Sequence, residues 1–246
     1  MSLFGGSRSR ASGGSSERAA RKEQPYAVRR DTARRSESSK EYEERVRNIL
    51  ASVSNGTAST FQAVKVLSSH EKELRIVKTS LDDRSARVIE AYLSGHPVEA
   101  LVLESVLFTD AGSWSAVCGG ISQCVTLESI TVTHCGVDDS EAGSLAQAIL
   151  KARGEVSDLD LSHNKLSDPS YFLNIVQHNQ HLQVLDLSDN ALSAKVLPAL
   201  ELALQAHFPL LRQVFLKRTG LNKLDNGLTD AVDQRSDRYS ETQVVF

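Results

Sequence analysis

Residues 156–166 read VSDLDLSHNKL and residues 182–192 read LQVLDLSDNAL. Laid over one another, they share apolar residues at positions 1, 4, 6 and 11 and an asparagine at position 9. The same eleven-residue phrase returns, less literally, at 98–108 (VEALVLESVLF), 127–137 (LESITVTHCGV) and 211–221 (LRQVFLKRTGL). The five copies start 29, 29, 26 and 29 residues apart. A period of that length holds about one strand and one helix, and a unit so small buries its apolar face only by stacking on copies of itself.

The phrase has a packing logic. Side chains alternate across a strand, so leucines at positions 4 and 6 point into the core while position 5 points to the opposite face. At position 9 an asparagine amide can turn inward and satisfy backbone groups that a tight bend leaves unpaired. Asn164 and Asn190 fit this role, Thr219 fits it in part, and Cys135 is a small apolar filler. Val106 offers no hydrogen bond, which predicts a looser bend after the first copy.

These phrases resemble leucine-rich repeats, and the spacing near 29, with Cys or Asn at position 9, is similar to the ribonuclease-inhibitor subtype. The resemblance covers 98–221, about half the chain. It implies an α/β leucine-rich repeat solenoid, with a parallel concave sheet and a helix on the outside of each coil. The subtype also includes tropomodulin-like actin regulators and the activator of the Ran GTPase. Function does not follow from the fold, since one fold hosts many tasks.

Charge divides the 246 residues unevenly. Residues 1–40 hold ten Lys/Arg against four Asp/Glu, a net of +6, and the remainder holds 18 against 27, a net of −9. The segment 1–40 is Ser/Gly/Arg-rich and too poor in apolar side chains to offset the entropy of ordering it, so it reads as a disordered tail. It is a solvated arm without a ligand, or an arm for nucleic acid or an anionic surface; its acidic residues weaken a mitochondrial-import reading. Arg29-Arg30-Asp31-Thr32 has the form of a basophilic kinase site. No apolar run reaches the length of a membrane span and no secretory signal follows Met1. Three cysteines without metal-ligand spacing suggest a reducing compartment, and the expected location is the cytoplasm, with cytoskeleton or nucleus as alternatives.

Residues 41–97 read as a helical segment and N-terminal cap. One helix over 40–55 presents Tyr42, Val46, Ile49, Leu50 and Val53 at helical spacing and stops at Asn55-Gly56. A second over 59–70 offers Phe61, Val64 and Leu67. A degraded repeat follows, with a strand over 74–83 and a helix over 84–93 carrying Ala86, Ile89, Ala91 and Leu93. Full repeats occupy 98–223. Their outer helices start near Asp139 or Ser140, with Ala142, Leu145, Ala146 and Ile149 inward, and at Asp168-Pro169, with Phe172, Leu173, Ile175 and Val176 inward. The next uses Val196, Leu197, Leu200 and Leu204. The helix carrying Gly112, Gly119 and Gly120 is expected to be the weakest, and its Trp114 is a core filler or an exposed anchor. Residues 224–246 read as a short cap helix over 224–232 and a tail whose apolar Val244-Val245-Phe246 is either packed back or captured by a peptide-binding domain.

Position 5 would align Val102, Thr131, Asp160, Asp186 and Phe215 along a concave ribbon roughly 25 Å long. Asp158 joins from position 3, Glu104, Thr133 and Lys217 from position 7, and His134, His163, Asp189 and Arg218 from position 8. The acidic centre either suits a partner with a basic surface or is simply what the L-D-L-S repeat carries. His134 and His163 are surface histidines, or with Asp160 a metal or acid–base pair lacking a third fixed ligand and a nucleophile. Phe215, Lys217 and Arg218 form a second contact patch, unless a C-terminal cap covers them. No glycine-rich phosphate loop, nucleophile motif or metal set is present, so no cofactor, small-molecule substrate or catalysis is expected. The reading is a protein-interaction scaffold; by resemblance alone, the alternative is a regulator of a GTPase or of actin filaments.

Overall fold

A computed structural model of the chain describes residues 37–67, 72–152, 154–176, 178–202, 210–221 and 243–245. Of the tail expected over 1–40, residues 1–36 lie outside these residues, while 37–40 form the first turn of a helix rather than disordered chain; the cap helix at 224–232 and Leu204 also lie outside.

Every copy of the phrase becomes a strand starting at its position 3: β3 (Ala100–Glu104), β5 (Ser129–Thr133), β6 (Asp158–Asp160), β7 (Val184–Asp186) and β8 (Gln213–Phe215). The degraded repeat supplies β1 (Glu73–Val77). All pair in parallel, in the order β1-β3-β5-β6-β7-β8-β9, where β9 is Gln243–Val245. Registers run position for position, so Leu74, Leu101, Ile130, Leu159, Leu185, Val214 and Val244 align. The first six of these are at most 1% exposed and form one continuous apolar spine. Val244 packs against that core, so Gln243–Val245 pack back onto the sheet itself, while Phe246 lies outside the described residues. This is the leucine-rich repeat architecture, with helices outside a parallel concave sheet.

The cap consists of α1 (Glu37–Ser54) and α2 (Thr60–Leu67) ahead of α3 (Asp83–Gly95). Tyr42, Val46, Leu50 and Val53 of α1 are buried, which covers an otherwise open first coil. Gly56 follows at φ +72°, a conformation that costs glycine nothing. Two inward assignments fail. Phe61 is 79% exposed, because α2 buries Ala63 and Leu67 instead, and Ala91 faces solvent while Val88 and Tyr92 join Ala86, Ile89 and Leu93 inside.

The outer helices α4 (Ala111–Gln123), α5 (Asp139–Lys151) and α6 (Ser170–Val176) bury the expected stripes. A 3-10 turn (Ala194–Val196) leads into α7 (Leu197–Leu202). Asp138 caps α5 through a capping box with Glu141, one residue earlier than expected. Far from being weak, α4 runs a full 13 residues. Its glycines give room: a Cβ on Gly120 would sit 2.9 Å from Glu90 Cα and 3.2 Å from Leu93 Cβ, so close contact of α3 with α4 requires glycine there. Trp114 is a core residue, 4% exposed, donating Nε1–H to the Glu141 carbonyl at 3.0 Å and meeting Phe108 edge-on.

The asparagines do what the phrase requires. Asn164 Oδ1 accepts from the amides of Cys135 (3.1 Å) and Val137 (3.2 Å), and its Nδ2 donates to the carbonyls of Val132, Leu161 and Ser162. Asn190 repeats the pattern one coil later. The bend at Val106 is not loose, however. There, β4 (Leu107–Phe108) pairs in parallel with β2 (Ser80–Leu81), so backbone ladders replace the missing amide. Cys118, Cys124 and Cys135 are free and buried; burial pushes the Cys118 thiol up to about 12 and Cys135 to about 11, which removes their thiolate reactivity. Among the described residues no helix is long and apolar enough to cross a membrane.

Candidate partner-binding face

The sheet brings the position-5 side chains into one row. Arg75, Val102, Thr131, Asp160, Asp186, Phe215 and Val245 are cross-strand neighbours in that order, all half-buried. Asp160 and Asp186 stand directly opposite one another. Each carboxylate is partly used internally: Asp160 Oδ1 accepts from the Ser162 amide at 2.9 Å and Asp186 Oδ1 from the Ser188 amide at 2.8 Å. Asp158 at position 3 accepts the Ser157 hydroxyl. The L-D-L-S phrase thus has a structural task in addition to any display, since aspartate caps the backbone as the strand ends. Burial raises the pKa of Asp186, and the neighbouring Asp160 adds to it, against bonds from Ser188 and the charge of Lys217 that pull the other way.

Position 8 forms the rim. Lys78, Ser105, His134, His163, Asp189 and Arg218 all have φ between 51° and 56°, the left-handed region, in which His and Asp are more at ease than most side chains. His134 and His163 stack with ring centroids 4.2 Å apart; His163 Nε2 lies 3.3 Å from Asp189 Oδ2; and the Arg218 fork grips Asp189. The Arg218 hydrogen bonds hold the Asp189 carboxyl below the ordinary range, outweighing its desolvation, with His163 assisting. Four predicted residues therefore join into one chain of contacts. The metal reading gains nothing: among the described residues no group of three or more His, Cys, Asp or Glu is placed to hold an ion.

Two predicted residues present less surface than expected. Thr133 is 8% exposed, like Ser162 (7%) and Ser188 (6%) at the same position. Position 7 lies in the bend between coils, where Ser188 Oγ accepts the Lys217 amide of the next coil at 3.2 Å. Glu104 is half-buried and bound at 2.5 Å by Arg75, which also holds Glu43 of α1 at 2.8 Å. Arg75 was missed by sequence reasoning, although aligning Leu74 and Ile76 with positions 4 and 6 puts it at position 5. On the last coil Phe215 is half-buried beneath Lys217, whose Nζ lies 5.7 Å from the ring centroid.

The model of the Leucine Rich repeat family matches residues 178–195. The tubulin-specific chaperone E of Bos taurus is 30% identical over 129 residues, 52% of this chain and 21% of that protein, so the chain spans about a fifth of its relative's length. Similar solved structures include the leiomodin-1 actin-binding site 2, at 10% identity over 63% of this chain and 89% of that one (TM-score 0.47). The tropomodulin C-terminal domain of Caenorhabditis elegans is 12% identical over 74% and 93% (TM-score 0.46). Human 5T4, also titled trophoblast glycoprotein, is 19% identical over 70% and 59% (TM-score 0.43). With strands, bends and outer helices in the places described, the chain is a leucine-rich repeat solenoid with a helical N-terminal cap.

Proposed function

We propose that the chain is a non-catalytic interaction module of the ribonuclease-inhibitor-like repeat subtype, docking a protein with a basic surface on its concave sheet. The observation that carries this reading is the in-register row Thr131, Asp160, Asp186. Each aspartate uses Oδ1 on a backbone amide of its own coil, and burial, with repulsion from the facing Asp160 adding to it, raises the pKa of Asp186. A lysine or arginine placed between them would relieve that repulsion and complete their hydrogen bonding. Cross-linking mass spectrometry on affinity-captured complexes, at low and moderate salt, tests it. The double substitution Asp160→Lys with Asp186→Lys abolishes capture, and capture unaffected by it overturns the assignment of the face.

A second reading names a cytoskeletal partner. The relative sharing 129 residues at 30% identity is, by name, a tubulin-specific chaperone, which favours tubulin as the protein to try first, with actin filaments as the parallel arm. Co-sedimentation with each separates the two, and pelleting with neither removes this reading while leaving the concave face open to other proteins.

A further inference from the structure

An open cleft of about 460 Å3 lies away from the concave row, between the C-terminal half of α1 and the rim of the first coils. Its volume falls within the roughly 300–1,000 Å3 usual for ligand clefts. Arg47, Ala51, Ser54 and Asn55 line one side, and Lys78, Thr79, Ser80, Ser105 and Leu107 the other. The lining holds two cations and no carboxylate.

Both cations are underused. Arg47 Nε is buried with no partner among the described residues, and its Nη2 makes a single long bond of 3.4 Å to the Val77 carbonyl. Lys78 is exposed and held at φ 51°, its amide donating to the Glu104 carbonyl at 2.9 Å, and its ammonium forms no ion pair among the described residues. The nearby acids are already spoken for. Glu43 and Glu104 are bound by Arg75, and Asp82 accepts from Ser85 and Ser54. A buried guanidinium nitrogen without an acceptor is a group awaiting one.

We infer that this cleft is an oxyanion site for a phosphate monoester, carried as a phosphorylated side chain on a protein partner. Charge selects the ligand. Arg47 and Lys78 together match the roughly −1.5 to −2 charge of a phosphate monoester at neutral pH, whereas a carboxylate leaves one cation unanswered. The hydroxyls of Thr79, Ser80 and Ser105 suit the three acceptor oxygens, and Leu107, 60% exposed at the edge, gives a peptide an apolar foothold. This inference is independent of the concave-face reading, and each is tested by substitutions the other does not use.

The test is a nuclear magnetic resonance titration of the full chain, at constant ionic strength, with inorganic phosphate, phosphoserine and a short phosphoserine peptide. The amides of Thr79, Ser80 and Ser105 shift with all three, and the peptide binds most tightly. Lys78→Asn, which tolerates the left-handed backbone, and Arg47→Gln each weaken binding at least tenfold, while Arg212→Gln on the exposed last coil does not. Binding of inorganic phosphate tighter than the peptide overturns the assignment of the source. Absent shifts at these amides, or shifts that survive Lys78→Asn with the spectrum otherwise intact, overturn the site.

Discussion

At the scale of single residues, two polar side chains dominate and act in opposite directions. Asn164 satisfies two amides and three carbonyls across adjacent coils. Asn164→Ala strands them and lowers unfolding free energy by about 2–3 kcal/mol, read as a lower urea midpoint. Asp186 is held above its ordinary pKa by burial and by Asp160. An acid whose folded pKa exceeds its unfolded value binds more protons when folded, so its contribution to stability falls as pH rises from the ordinary carboxylate range through the raised folded value. Asp186→Asn keeps an acceptor for the Ser188 amide and removes the charge. It leaves stability at neutral pH equal or higher by about 0.2–1 kcal/mol and flattens that pH window, while weakening partner capture. Loss of both stability and capture would show that the carboxylate is structural alone. Arg75 is the third case. Its side chain is 12% exposed between Glu43 and Glu104, and Arg75→Ala leaves two part-buried carboxylates unpaired, costing about 2–3 kcal/mol in the same urea measurement.

Between elements, the neighbouring glycines of α4 give a paired prediction. A Cβ on Gly119 meets only the flexible end of Glu90, at 2.8 Å from Oε1, whereas one on Gly120 meets the α3 backbone. Gly119→Ala therefore gains up to about 1 kcal/mol of helix propensity; Gly120→Ala loses about 1–3 kcal/mol because α3 and α4 must separate. Thermal unfolding of both variants checks the contrast, and equal effects would refute the close-approach explanation. The same pair shows why α4 was misjudged from sequence. Propensity treats a glycine as a local weakness, while its value here lies in a helix 27 or more residues earlier, which no local window contains. The bend at Val106 was misread for a related reason: the β2–β4 pairing that closes it joins Ser80 to Leu107, one repeat apart. Asp82 links elements too, capping α3 through Ser85 and accepting from Ser54 of α1. Burial raises its pKa, but the bonds from Ser85 and Ser54 more than reverse this, and the net shift is downward. Its contribution is therefore present above about pH 4 and is lost as pH falls through the lowered folded value. Asp82→Ala costs about 1 kcal/mol and removes that acid limb, which Asp82→Asn removes while keeping the cap.

For the whole molecule, strand positions and the inward face of the sheet were legible because one phrase recurs and its alternation admits a single register. The shortening of the period to 26 between the third and fourth copies was legible in the same way. It reappears as α6 with 7 residues against 13 in α5. The adjacency of His134 and His163 was legible too; what the sequence hid were other meetings set by the stack: Arg75 with two acids, Asp189 between His163 and Arg218, and the shared left-handed backbone of the rim. Each depends on what lies one coil away, so the reading located the concave row but not its internal bonding. A solenoid's stability is a sum of coils and nearest-neighbour interfaces. The long α3–α4 junction should accordingly outlast the α6–α7 end. Native-state hydrogen exchange will show amides of β3 and β5 exchanging only on global unfolding and those of β7 and β8 through a smaller opening; uniform protection would refute it.

The six left-handed residues at position 8 have a consequence for engineering. The amides of the first five bond to main-chain carbonyls of the next coil, as in Ser105 to Thr133, His163 to Ser188 and Asp189 to Lys217, so the route of the chain there owes little to side-chain identity. Any letter at ease with that handedness, such as Asn, Asp, His or Gly, can be set into the ledge without rerouting the main chain, although at His134, His163, Asp189 and Arg218 it breaks a side-chain contact. A library varied at these crests alone would rewrite what the protein greets, one character per turn, on an unaltered frame.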